Sequence, residues 1–181
     1  MADPVARGNA TPRTALTFPG QLVLWSVRLH LLGDRQGFPT ADTIDTAYRL
    51  VGCPHGQPAV AALVTELTDS ARRTLDIRPP CARILSADED RLLDLIRCFQ
   101  RRDPILPRFI VSALVPAPAR SRILSLTARL SGRLVVAGLA IGGDIRPRTG
   151  PVPGRPGEAS LHVHAHNHDF LPKTPGASPC Q

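Results

Sequence analysis

Proline placement is the strongest constraint on what this chain can fold into. Of its 19 prolines, seven stand at Pro147, Pro151, Pro153, Pro156, Pro172, Pro175 and Pro179. A proline inside a helix removes a backbone N–H and clashes with the preceding turn, so no helix runs through that stretch. Residues 1–17 are polar, carry Pro4, Gly8 and Pro12, and show no apolar period. Disordered tails are therefore expected at 1–17 and at the Pro/Gly/His-rich 142–181, flanking one domain at 18–141.

Between the tails the apolar residues recur at helical spacing. The first helix is expected over 19–32, opened by Pro19 and stopped by Gly33; Leu22, Trp25, Leu29 and Leu32 mark one face. Leu24, Val27 and Leu31 spread its apolar surface almost all round, which predicts a central helix. Thr40 is expected to cap a second helix carrying Ile44, Ala47, Tyr48 and Val51, ended by Gly52. A third starts near Pro58, with Val60, Leu63, Val64, Leu67 and Ala71 at the same spacing. Ser86-Ala87-Asp88-Glu89 is a capping box. It opens a fourth helix with Leu92, Leu95, Ile96 and Phe99 as the buried stripe. Acids at 88–90 and arginines at 97, 101 and 102 suit the helix dipole. Shorter helices are expected at 108–114 and from 118 to 130 or 136, with 135–141 as an alternative short strand. Aromatic residues make up only 4% of the chain, so the core must be built from Leu, Val, Ile and Ala, which suits helices. The predicted fold is a mainly α, single small domain of five or six short helices.

Several functions lack their residues. Lys173 is the only lysine, and it lies in the C-terminal tail. No Walker-type loop has its lysine, and no core lysine exists for a Schiff base. There is no G-x-S-x-G elbow, no HExxH and no dinucleotide fingerprint. No enzyme activity is expected. The N-terminus has no secretory apolar core, and the apolar runs at 22–32 and 134–141 cannot span a bilayer. A cytoplasmic protein with reduced thiols and no membrane partner is the expectation.

Two constellations can bind metal. His162, His164, His166 and His168 alternate, so an extended chain puts their imidazoles on one face, about 7 Å apart. Such a set suits Ni(II), Cu(II) or Zn(II), with Asp169 as a further oxygen ligand. Cys53, His55, Cys81 and Cys98 make a chemically sound zinc set, although Cys98 falls beside the buried stripe of the fourth helix. Asp90 and Asp94, four apart, are read as a solvated helix face rather than a catalytic pair. The second and third helices resemble a helix-turn-helix only loosely, because their connection is long and Glu66 and Asp69 would face phosphate.

The expected function is non-catalytic: a cytoplasmic helical protein working through protein–protein interaction, in an accessory or regulatory role, with no cofactor. One alternative is a metal-binding accessory protein using the histidine tract and a divalent transition metal. The other is an arginine-rich nucleic-acid-binding protein, since the formal net charge is +7. The arginines are scattered, however, and do not form one basic run.

Overall fold

In the computed structural model, residues 11–142 are described. Residues 1–10 and 143–181, with the tail assignments and the histidine tract, lie outside the described residues. Among the described residues there are six α-helices: α1 Phe18–Gln36, α2 Ala41–Leu50, α3 Gly56–Ser70, α4 Ala87–Gln100, α5 Leu106–Leu114 and α6 Ala117–Val136. The domain is mainly α, as the periodicity predicts. Helix α1 packs against α2, α3 and α4, and α6 packs against α3, α4 and α5. Leu, Val and Ile dominate the buried set, and Tyr48 is the aromatic ring within it. No described helix is long and apolar enough to cross a membrane.

Some boundaries differ from expectation, each for a packing reason. Helix α1 runs through Gly33 and ends at Gly37, which sits in the left-handed region at φ 70°. Gly33 is there for closeness: an added Cβ would lie 2.7 Å from Thr40 Cγ2. Thr40 stands at the N-cap of α2 but makes no side-chain capping bond. Helix α3 starts at Gly56, before Pro58, because Gly56 lies flat on the buried Tyr48 ring. A Cβ at Gly56 would come within 2.1 Å of Tyr48 Cδ1. The strand considered at 135–141 does not form. After α6 the chain turns at Gly138 and buries Leu139 and Ile141. The Gln100 amide clamps this return, donating to Leu139 O at 3.0 Å and accepting from Ile141 N at 2.8 Å.

The end of the expected N-terminal tail is part of the domain. Leu16 is buried, and residues 11–13 run beside 83–85. Arg13 N donates to Arg83 O at 2.8 Å, and Leu85 N donates to Thr11 O at 2.9 Å. The two short segments satisfy each other's backbone groups, and a single 3-10 turn over Arg13–Ala15 leads on toward α1.

A buried ion pair fastens the long α3–α4 connection. Arg28, inside α1, reaches Glu89 at the third position of α4, with Nε–Oε1 at 2.7 Å and Nη2–Oε2 at 2.8 Å. Their side chains are 1% and 0% exposed, so solvent does not screen them. Arg28 also donates to Ala82 O and Ile84 O, and Glu89 accepts from the N–H groups of Arg78 and Ser86. The capping box forms as the sequence predicts, with Ser86 accepting from Glu89 N. The Ser86 hydroxyl also donates to Asp76 O.

Asp88, one residue earlier, holds the same loop from outside. It receives both Nη atoms of Arg73, at 2.7 and 2.8 Å, the Asp76 N–H and Arg91. The Arg73 hydrogen bonds outweigh burial and hold its carboxyl below the ordinary aspartate value. A depressed carboxyl contributes stability above its unfolded pKa and loses it as pH falls through the folded value. Urea melts taken from about pH 5 downward should therefore show an acid loss that Asp88→Asn reduces.

Candidate functional site

Helix α2 ends in a tight loop. Gly52 takes φ 77°, and Cys53 N donates to Tyr48 O at 2.8 Å. Gly56 N then donates to Cys53 O at 2.9 Å, opening α3. The loop lies against the last turns of α6. The Cys53 thiol contacts Arg133 O at 3.8 Å, and Arg133 Nη1 donates to His55 O at 3.2 Å. These contacts pin the loop but leave a gap, because Ala128 and Gly132 on α6 are small. A Cβ at Gly132 would meet nothing within 4 Å.

The gap is an open cleft of about 470 Å³, lined by the 52–55 loop and by Ala128, Arg129, Gly132, Arg133, Val136 and Ala137. Its wall is mostly apolar, and Val136 beside it is 91% exposed. No acidic residue lines it. Arg129 is exposed and has no ion-pair partner among the described residues, while the Arg133 guanidinium bonds only to a carbonyl. Helix α6 as a whole carries Arg120, Arg122, Arg129 and Arg133 and no acid; Arg122 is taken up by Glu66 at 2.6 Å. The cleft can therefore receive an apolar side chain flanked by negative charge. Burial pushes the Cys53 thiol above its ordinary value, with Arg133 opposing. Cys53 is thus a small packed residue here and a poor nucleophile.

The four-ligand zinc set is not brought together among the described residues. No group of three or more His, Cys, Asp or Glu side chains able to hold a metal occurs among the described residues. Cys53 is buried beneath α6, whereas Cys98 is buried within α4. His55 is exposed. Cys81 is disulfide-bonded, so its sulfur is not a thiolate ligand, against the expectation of reduced thiols throughout. His162, His164, His166 and His168 lie outside the described residues.

Asp90 and Asp94 sit four apart on α4, as read from the sequence. Asp94 is bonded to Arg97 at 2.6 Å, and Asp90 is raised mainly by burial, then by Asp94. Helix α3, the candidate recognition helix, is packed against α1, α2 and α6, and its exposed face carries Thr65 and Asp69, with the Glu66 carboxylate held by Arg122. The cleft is not among the sites the sequence singles out. Its signals are four arginines without an acid over 117–136, and small residues at 128 and 132. Comparison with protein-family models, curated proteins and solved structures finds no match for this chain.

Proposed function

We propose that this protein is a non-catalytic accessory or regulatory protein that binds a partner protein in the cleft between the 52–55 loop and α6. The observation that carries this reading is an apolar cleft rimmed by Arg129 and Arg133 and lined by no acid. A partner segment with an apolar anchor and flanking carboxylates would complement it. The anchor displaces water from the wall, and the carboxylates pair with planar guanidinium groups.

A photo-crosslinking residue at Val136, in the native cell, tests it. Val136 is exposed, so the substitution leaves the core intact. One dominant adduct is expected, through a peptide containing Asp or Glu. It should disappear with Arg129→Glu plus Arg133→Glu, and with Gly132→Glu, which fills the gap. An adduct indifferent to these changes would sink the proposal. The compartment is tested on rapidly trapped protein: a Cys81 that is alkylated only after reduction indicates an oxidising compartment, and one alkylated directly indicates the cytoplasm.

A further inference from the structure

Helix α5 is apolar on two sides. Pro107, Val111 and Leu114 face the core and are buried. On the other side Ile105 is 63% exposed, Leu106 47% and Phe109 68%. Positions i, i+1 and i+4 share one side of a helix, so these three large side chains form one patch. A short helix that buries one apolar side and exposes another has a face that something else covers.

The charges beside the patch in the chain say what covers it. Arg102 precedes α5 and Arg108 lies within it; both are exposed and make no ion pair among the described residues, and exposed Arg101 has its guanidinium beside Gly142. Asp103 is the nearby acid, and one of its oxygens is already used. Oδ1 accepts from the N–H groups of Ile105 at 2.8 Å and Leu106 at 2.9 Å, which fixes the start of α5. Arg102 sits at φ 57°, among the described non-glycine residues the one with a positive φ. Glycine is the unstrained residue there, so the chain keeps an arginine at a conformational cost.

We propose that the exposed side of α5 rests on an anionic phospholipid surface. Ile105, Leu106 and Phe109 enter the boundary between headgroups and acyl chains, and Arg102 and Arg108 meet headgroup phosphates. Interfacial contact of this kind needs no membrane-spanning helix. A second copy of the chain is a poor cover, because it would bring Arg102 and Arg108 against their own copies. A nucleic acid would find a single ring to stack on. None of Ile105, Leu106 and Phe109 lines the cleft beside α6, so the inference is independent of the partner-binding reading.

Co-sedimentation of the full chain with vesicles tests it. Binding is expected to vesicles containing phosphatidylglycerol and not to phosphatidylcholine alone. Phe109→Ser, on an exposed residue, should lower partitioning by about tenfold or more. Arg102→Gly relieves the backbone and so preserves folding, yet should lower partitioning by about fivefold. Raising salt should release the protein. Equal binding to neutral vesicles, no binding to either, or binding unchanged by Phe109→Ser would each overturn the proposal. The last outcome would mean a diffuse charge effect, and the second a protein cover for α5.

Discussion

Glu89→Ala is expected to destabilise the domain by about 3–5 kcal/mol, measured as a fall in the urea midpoint followed by circular dichroism. The substitution leaves the Arg28 guanidinium buried in α1 without its counter-charge. It also strips two backbone donors, Arg78 N and Ser86 N, of their acceptor. A buried ion pair by itself is often replaced by apolar residues at no cost, because desolvation offsets the attraction. Here that exchange should fail. Arg28→Met with Glu89→Leu removes both charges, but leaves Arg78 N, Ser86 N, Ala82 O and Ile84 O without these partners. Each unsatisfied buried group carries its own penalty. The double variant is therefore expected to remain destabilised, with faster hydrogen exchange at Arg78 and Ser86. Full recovery of stability would show that the pair does not hold the loop.

Leu95→Ala is the other large effect, a loss of about 2–5 kcal/mol in the same melt. Leu95 is fully buried on α4, which packs against α1, α5 and α6. Truncation at that position leaves a hole that three neighbouring helices cannot all close. Val136→Ala makes the contrast. Val136 is 91% exposed on α6, and its loss should leave the midpoint almost unmoved while altering the cleft wall. A neutral Leu95→Ala would mean that the buried face of α4 is wrongly placed.

Interactions that act over a few residues are legible in the sequence. The 3.6-residue recurrence of Leu, Val and Ile marks α2, α3, α4 and α6 and the faces they bury. The Ser86–Glu89 capping box marks where α4 begins, because both of its hydrogen bonds lie within one turn. Gly52 ends α2 as its position predicts, and it sits there in the left-handed region. Gly33 does not end α1, although its position predicts that it should. A glycine that ends a helix and one that admits a neighbouring chain look alike in sequence, and only the position of Thr40 separates them.

The sequence by itself determined the helical class, most helix starts and the apolar core, since backbone propensity and amphipathic spacing are local properties. What only the tertiary structure decided are matters of long-range proximity. Arg28 reads as a polar interruption of an apolar helix until Glu89, 61 residues away, is brought against it. Residues 11–16 read as tail until they meet 83–85. The cleft joins the 52–55 loop to residues 128–137, and the zinc residues stay apart because Cys53 packs against α6 while Cys98 is buried on α4. A chain's local chemistry limits which groups can meet; packing of the helices settles which of them do.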